Sequence, residues 1–177
     1  FQFGKTADGR DIAFVQSYGS TGSGFCMNTS NTNSGGWKNS YMMKTICPAF
    51  LNALPAAWRN AIKNCTKYSD NTGGGSDTAS YVTSTTDLLP LLSEFEYHGA
   101  RTYANSAEQN YQQQYAYYQA GNSKVHYRHD NTGTAVDAWC RSVDASNGDI
   151  FCLVYTGGTA YNYYADLSWA VAPGFWI

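Results

Sequence analysis

The residues with the clearest chemical potential are a few histidines and carboxylates. His126 and His129 lie three positions apart beside Asp130, a spacing that could serve a metal ion or acid–base chemistry. Glu94 and Glu96 lie two apart and would share one face of a strand, where a carboxylate pair could do acid–base work. The alternatives are a solvated strand or loop for the histidines, and a polar sheet face or bonds to backbone amides for the carboxylates. We favour these alternatives, because neither pair has an identifiable partner.

Other patterns typical of enzymes and metal sites are missing from the sequence. There is no nucleophile elbow, HExxH motif, P-loop or dinucleotide fingerprint. Asp77 and Asp87 offer oxygens for Ca²⁺ but lack EF-hand spacing. The five cysteines form no CxxC pair, so we interpret them as small buried hydrophobes. The alternative of one disulfide, between Cys140 and Cys152, is kept. The sequence therefore predicts no catalytic residue, no metal site and no cofactor.

The strongest functional signal comes from the last 36 residues, Ser142 to Ile177, which contain no Lys, Arg, His or Glu. Tyr and Trp give large contact area at low conformational-entropy cost, while Ser, Gly and Asn give adaptable hydrogen bonds. A catalytic pocket would instead concentrate titratable groups. This composition is typical of a binding surface.

The whole chain has the composition of one globular domain with a weakly charged surface. Of its 177 residues, 43% are hydrophobic and 14% charged, against about 25% charged in typical proteins. The net charge of -2 and the lack of a basic stripe predict no nucleic-acid partner. No apolar run reaches the roughly 18 residues of a membrane span, so we predict no membrane insertion. Because the chain begins with Phe1 rather than Met, we expect it to be a processed or excised piece of a longer protein.

Hydrophobic spacing and turn residues predict an α+β domain. The predicted helices cover 37–50, 55–65 and 106–120. The predicted strands cover 11–17, 88–95, 124–129, 135–143, 150–155 and 169–177. Loops are expected over 20–36 and 68–86. In the third helix the stripe of Tyr111, Tyr115 and Tyr118 is interpreted as core packing rather than a ligand platform.

Several separated motifs closely resemble one family of bacterial and phage proteins. They are GGWKNSYMMKTICPAFLNALP (35–55), CTKYSDNTGG (65–74), LLSEFEYHG (91–99), AWCRSV (138–143) and VAPGFWI (171–177). The family is a domain of unknown function, similar to C-type-lectin-like domains and related in fold to formylglycine-generating enzymes. The resemblance implies a C-type-lectin-like fold over 35–177, with helices packed on irregular antiparallel β-sheets. Residues 1–34 would be an N-terminal extension or the first strand of the domain.

This sequence departs from the family at two positions. The family motif usually reads WWLRS, so Ala138 and Cys140 stand in place of Trp and Leu, and core packing there is expected to differ. The Ca²⁺-dependent sugar motifs of animal C-type lectins (EPN or QPD with WND) are also missing. A lectin-like fold therefore does not by itself imply sugar binding.

Some family members resemble the variable proteins of diversity-generating retroelements. Such systems copy a template RNA with errors at adenines and rewrite a C-terminal stretch of the gene, often at AAY codons, which cannot become Lys, Glu, Gln, Met or Trp. Those five types make up 24 of the 177 residues, yet 144–168 contains none. A β-rich Tyr/Gly/Asn segment would also be poor in them, so that alternative stays open. The resemblance implies a variable region over about 138–169.

We predict that this region presents an outward-facing, ligand-binding set of side chains. Phe151 and Val154 would point inward, and Phe175 would lie beneath the surface. The predicted outward set is Asp144, Ala145, Ser146, Asn147, Asp149, Leu153, Tyr155, Thr159, Tyr161, Tyr163, Tyr164, Asp166, Leu167 and Trp169. Strand alternation supports only part of this set, because Leu153 and Val154 must face opposite ways.

Sequence and resemblance together predict a binding protein of a phage tail fibre or bacterial cell surface. Its partner would be a protein or glycan on a host or target cell, held by aromatic anchors. A homotrimer formed through a region outside this chain would add avidity. Two alternatives are a structural virion or surface component without a dedicated ligand and, less favoured, a formylglycine-generating-type enzyme. The enzyme would need copper and paired thiols, for which only Cys140 and Cys152 are candidates.

Overall fold

A computed structural model describes residues 8–15 and 24–177, which form an α+β fold of short helices around small sheets. The strands are β1 (Asp11–Ala13), β2 (Cys65–Asp70), β3 (Val82–Asp87), β4 (His126–Arg128), β5 (Ala135–Val136), β6 (Ala138–Val143), β7 (Ile150–Val154) and β8 (Ala160–Tyr164). The helices are α1 (Gly36–Asn39), α2 (Cys47–Ala53), α3 (Ala56–Ala61), α4 (Glu94–His98) and α5 (Ala116–Gln119). A π-helical turn lies at Met42–Ile46, and 3₁₀ turns lie at Ala79–Tyr81 and Ser106–Asn110. The predicted α+β class is confirmed.

The strands of the described residues group into three sheets. β7 lies between β6 and β8 in an antiparallel sheet, whose β6–β7 register shifts between Trp139 and Val143. β2 and β3 form an antiparallel pair. β4 joins β1 in parallel and β5 in antiparallel orientation. The strands β6, β7 and β8 with the turns between them span 138–164, which is most of the predicted variable region.

Two hydrophobic clusters cover the alternating positions of β6 and β7. The larger cluster includes Trp37, Trp139, Phe151, Leu153 and Val171. The second includes Phe95, Tyr97, Cys140, Cys152 and Val154. Because successive strand residues face opposite sides, these two clusters bury both faces of β7. The predicted inward positions of Phe151 and Val154 are confirmed, and Phe175 is also buried.

The predicted loop over 68–86 is wrong, because it contains the second half of β2 and most of β3. β3 reads VTSTTD, and β-branched residues favour strands. The hydrophobic alternation that normally reveals a strand is missing, since the buried side chains of β2 are polar. Lys67, Ser69 and Asp70 are all buried there, each in hydrogen bonds to other parts of the chain.

The predicted strand over 88–95 is also wrong, because its end belongs to α4. The Ser93 hydroxyl accepts a hydrogen bond from the Glu96 amide at 3.1 Å. The Glu96 carboxylate in turn accepts one from the Ser93 amide at 3.0 Å. This capping box starts a helix at Glu94. The SxxE signature is present in the sequence and predicts this start.

The predicted helix over 106–120 is wrong in its middle, where the chain leaves helical geometry between a 3₁₀ turn and α5. Asn105, not Ser106, caps the first turn. The Gln112 side-chain amide donates to the Tyr68 carbonyl at 2.6 Å, a distant contact that local helix propensity does not anticipate. Of the tyrosine stripe, Tyr118 is buried in the second cluster, whereas Tyr111 is exposed.

Other element boundaries differ more modestly. The predicted helix over 37–50 is divided into α1, the π-helical turn and α2, and Pro48 lies in the first turn of α2, where proline is tolerated. The predicted helix over 55–65 is seen as the shorter α3, with Pro55 as the residue before its first turn. Trp58 is exposed and Cys65 belongs to β2. Residues 169–177 form isolated bridges instead of a strand, and β8 was not predicted. The predicted strand over 11–17 is seen as β1, and its last residues lie outside the described ranges.

Gly36 in the first family motif allows a close backbone approach. Its φ is 55°, and a Cβ there would lie 2.0 Å from the carbonyl oxygen of Asp70. We expect Gly36→Ala to lower the free energy of unfolding by roughly 2 kcal/mol, from the left-handed backbone and the fixed main-chain neighbour. Gly74→Ala is the matched control, since Gly74 has a φ of 80° with nothing within 4 Å of its Cβ. Equal shifts of the urea midpoint in both variants would contradict the close approach.

Candidate ligand-binding surface

Strand β8 and its flanking turns bring five of the predicted aromatic residues together. The ring centroids of Tyr155 and Tyr161 are 5.5 Å apart, and those of Tyr161 and Tyr163 are 6.3 Å apart. Tyr163 in turn lies 6.1 Å from Tyr164 and 5.0 Å from Trp169. We call these five residues the aromatic surface. Such spacings are those of interacting aromatic pairs, so the side chains form one continuous array.

The exposure of these rings divides the aromatic surface into two roles. Tyr155, Tyr161 and Tyr164 expose 46%, 43% and 47% of their area. Tyr163 and Trp169 are partly buried and pack against the larger hydrophobic cluster. The three exposed rings are therefore available to a partner, while Tyr163 and Trp169 support them from the core.

Tyr103 extends the aromatic surface and was missed by the sequence reasoning. Its ring centroid lies 6.4 Å from that of Tyr161. The buried carboxylate of Glu94 accepts hydrogen bonds from the amides of Tyr103 and Ala104, which fixes this segment beside β8. Glu94 thus binds backbone amides, one of the alternatives weighed for the carboxylate pair. No local pattern places Tyr103 near Tyr161, because 58 positions separate them in the sequence.

Polar residues border the aromatic surface on the turns before and after β8. Those exposed are Ser146, Asn147, Thr159 and Asp166, with Asp149 partly exposed. The apolar Leu167 beside Asp166 is exposed as well. An aromatic centre with a polar margin is the usual anatomy of a protein recognition patch. Most of the predicted outward set is therefore exposed at least in part.

Three members of the predicted outward set are wrong, because Asp144, Ala145 and Leu153 are buried. Leu153 is only 1% exposed, since both faces of β7 are covered. The Asp144 carboxylate accepts hydrogen bonds from the Ser146 amide at 2.6 Å and the Asn162 side chain at 2.5 Å. Asp144 therefore stabilises the turn that leads to β7 instead of facing a ligand.

The turn over 145–149 is held through its backbone by residues outside the predicted variable region. The side-chain amide of Asn33 donates to the carbonyls of Asn147 at 2.7 Å and Ile150 at 2.9 Å. The Asn33 side-chain oxygen accepts from the Gly74 amide at 2.8 Å. Because these bonds engage main-chain groups, the exposed side chains of the turn can change without removing them.

The interior of the domain holds a buried ionic network that the sequence reasoning did not identify. Arg141 is fully buried and hydrogen-bonds the Glu96 carboxylate, the Ser69 hydroxyl at 2.9 Å and the Leu91 carbonyl at 2.8 Å. Lys67 donates to the same Glu96 carboxylate at 2.6 Å. Burial alone would raise the pKa of Glu96, but the charges and hydrogen bonds of Arg141 and Lys67 outweigh it and lower the pKa to about 2. Arg141 belongs to the AWCRSV motif, so this network anchors β6 to α4.

Glu108 is a second buried carboxylate next to this network. It accepts hydrogen bonds from the Asp70 amide at 3.0 Å and the Ser142 hydroxyl at 2.7 Å. Burial raises its pKa to about 7, although these bonds and the charge of Arg141 act in the opposite direction. Because Glu108 is not exposed to solvent, its perturbed pKa indicates a structural role and not an accessible acid.

The cysteines and histidines lie apart from any accessible reactive centre. Cys140 and Cys152 are free and fully buried, and burial raises the pKa of both thiols well above the ordinary value. High thiol pKa values disfavour thiolate chemistry. His126 is buried against the Tyr97 hydroxyl at 3.1 Å, and His129 accepts from the Val15 amide. The two histidines are thus engaged in separate contacts.

Over residues 8–15 and 24–177, no group of three or more His, Cys, Asp or Glu side chains is arranged to hold a metal ion. The carboxylates of the two candidate Ca²⁺ ligands, Asp77 and Asp87, make contacts within the protein. The Asp77 carboxylate forms an ion pair with Arg101 at 3.1 Å, and the Asp87 carboxylate accepts from the Thr85 hydroxyl at 2.6 Å. None of the helices in the described part of the chain has the length and apolar character to cross a bilayer.

The fold and this surface define a small α+β domain with an exposed aromatic surface and a buried ionic network. The chain belongs to the family described as Domain of unknown function (DUF6273), whose model matches residues 14–177. That match begins upstream of Gly35, where the sequence motifs begin. No curated protein and no solved structure matches the chain.

Proposed function

We propose that this protein binds a macromolecular ligand through the aromatic surface, on a C-type-lectin-like scaffold whose exposed residues vary between isolates. The single observation that carries the proposal is the continuous array of Tyr155, Tyr161, Tyr163, Tyr164 and Trp169, three of them exposed. Tyrosine and tryptophan are the residues most enriched among binding hot spots. Clustering them on the surface costs solubility, which favours a partner that covers them.

The division between a fixed interior and a changeable exterior supports the retroelement interpretation. The turn over 145–149 is held by backbone-directed bonds from Asn33, and β8 adds exposed side chains to a sheet whose β7 is buried. Substitutions at the exposed positions would leave the hydrophobic clusters intact. The partner in this proposal is a protein or glycan on a host or target cell, and the protein is part of a phage tail or bacterial surface.

Comparison of the same locus across sibling isolates tests this proposal. We expect substitutions to concentrate at exposed positions of 144–169 and to spare Asp144, Leu153 and 35–137. A neighbouring reverse transcriptase gene and a near-identical template repeat would support the genetic mechanism. Substitutions spread evenly over buried and exposed positions would overturn the variable-surface proposal and leave a structural surface component as the better interpretation.

Alanine variants of the aromatic surface test the physical part of the proposal. On target cells that the protein binds, we expect Tyr161→Ala and Tyr164→Ala each to weaken binding by about 1–3 kcal/mol. Little stability should be lost, because both rings are exposed. Tyr163→Ala should also lower the melting temperature, since this ring packs against the core.

Tyr111→Ala is the matched control for these variants. Tyr111 exposes 55% of its area and stacks on Tyr68 at 4.3 Å, away from the aromatic surface. Its loss should leave binding unchanged. If Tyr111→Ala reduces binding as much as Tyr161→Ala does, the aromatic surface is not the recognition site.

A further inference from the structure

A second concave site lies outside the predicted variable region. It is a cleft of about 350 Å³ between β2, the segment 90–92, α5 with its preceding residue, and the segment 174–176. That volume is within the range of small-molecule sites, roughly 300–1,000 Å³. Its walls are mainly apolar and aromatic, and include Leu92, Tyr115, Tyr117, Phe175 and Trp176. Such walls suit an apolar ligand body.

The charged side chain in the lining is Lys67, whose side chain is only 8% exposed. Its ammonium donates to Glu96 at 2.6 Å and to the Tyr115 hydroxyl at 2.7 Å. An ammonium has three donors, and no acceptor for the third is found among the described residues. Nζ also lies 4.3 Å from the ring centroid of Trp176, a wall of the cleft. The third N–H of Lys67 thus has no hydrogen-bond acceptor in the described part of the chain, and the ammonium borders the cleft that Lys67 and Trp176 line.

The charge around Lys67 favours an anionic partner. The Glu96 carboxylate in contact with Lys67 is shared with Arg141, so one carboxylate serves two buried cations. Asp87, a further carboxylate on which Lys67 and Arg141 act electrostatically, accepts a hydrogen bond from the Thr85 hydroxyl. Desolvation lowers the pKa of Lys67, although Glu96 acts against this. A buried cation short of a direct counter-ion gains most from a charge-assisted hydrogen bond.

We propose that this cleft binds a small amphiphilic carboxylate, with the carboxylate on Lys67 and the apolar body between Tyr115, Phe175 and Trp176. The site shares no residue with the aromatic surface. It is built from residues of the CTKYSDNTGG, LLSEFEYHG and VAPGFWI motifs together with Pro90, α5 and the tyrosine before α5. The ligand class would therefore stay constant while the aromatic surface changes.

Calorimetric titration of the full chain with 4-phenylbutyrate tests the proposal, with 4-phenylbutan-1-ol as the matched neutral probe. A ligand of this size should bind in the range of roughly 0.1–1 mM. The carboxylate should bind about tenfold or more tightly than the alcohol, because only the carboxylate pairs with the ammonium. The indole N–H signal of Trp176 should shift on binding, and that of Trp169 should not.

Variants distinguish the contribution of the Lys67 charge to binding from that of the apolar walls of the cleft. Lys67→Met should abolish the preference for carboxylate over alcohol, and Trp176→Ala should weaken both probes. Tyr161→Ala should change neither, because Tyr161 lies outside the cleft. No binding of 4-phenylbutyrate at about 5 mM would overturn the proposal. Equal affinity of acid and alcohol in the unaltered protein would also overturn it, without requiring that any variant fold.

Discussion

Replacing Arg141 with Met is expected to lower the free energy of unfolding by about 3–5 kcal/mol, the usual cost of breaking a buried ion pair from one side. Arg141 is fully buried and contacts Glu96, Ser69 and the Leu91 carbonyl. Met fills a similar volume but supplies no donor. The variant would leave Lys67 as the one cationic partner of the Glu96 carboxylate among the described residues and leave the Leu91 carbonyl without its Arg141 donor.

Urea unfolding monitored by tryptophan fluorescence measures this loss, and Arg128→Met provides the control. Arg128 also forms a bidentate pair, with Asp130 at 2.8 Å and 2.7 Å, but it lies at the protein surface. Exposed pairs contribute little because water screens them, so the control should shift the midpoint only slightly. Similar shifts for the two variants would mean that the buried network does not anchor β6 to α4.

The same network shows why the sequence predicted the class of fold better than its details. Arg141 was visible in AWCRSV, and strand β6 was predicted from it and its apolar neighbours. Its partners Ser69 and Glu96 lie 72 and 45 positions away. Hydrophobic periodicity carries no information about such polar pairings, and β2 was missed because its buried residues are polar.

Composition alone was enough to predict the tyrosines of the candidate site. The concentration of tyrosine over 155–164 pointed to the aromatic surface, and the structure brings these rings together. Composition does not distinguish a strand covered on both faces from one covered on a single face. Leu153 was therefore predicted to face solvent. Asp144 was placed outside because a polar residue is usually exposed. Its burial depends on the amides of Ser146 and Asn147, which a local turn provides.

Glu108→Gln is expected to remove a pH dependence of stability between about pH 4.5 and 7. The folded-state pKa of Glu108 is about 7, against a reference of 4.5. In that interval the folded protein holds a proton that the unfolded chain releases, so the free energy of unfolding falls as pH rises. It becomes constant above about pH 7. The total change is on the order of 3 kcal/mol.

Glu96 and His98 make the free energy of unfolding rise with pH, opposite to Glu108. The unaltered protein and Glu108→Gln must therefore be compared at each pH. Glu96, with a pKa of about 2, stabilises the fold above its reference of 4.5, and this stabilisation is lost as pH falls toward 2. Burial lowers the pKa of His98 to about 4 from 6.5. The contribution of His98 to the free energy of unfolding therefore grows as pH rises from about 4 to 6.5. Partial exposure of the side chain makes this contribution smaller. Subtracting the Glu108→Gln profile cancels both terms.

We subtract the free energy of unfolding of Glu108→Gln from that of the unaltered protein. This difference is expected to fall between about pH 4.5 and 7 and to be constant on either side. Gln retains an acceptor for the Asp70 amide, and its N–H₂ group can donate to the Ser142 hydroxyl oxygen once that hydroxyl, which donates to Glu108 in the unaltered protein, turns to accept. Urea midpoints at closely spaced pH values measure the curve. A difference that does not change with pH would mean that Glu108 is ionised throughout this range. The hydrogen bonds from Asp70 and Ser142 would then outweigh the cost of burying its charge.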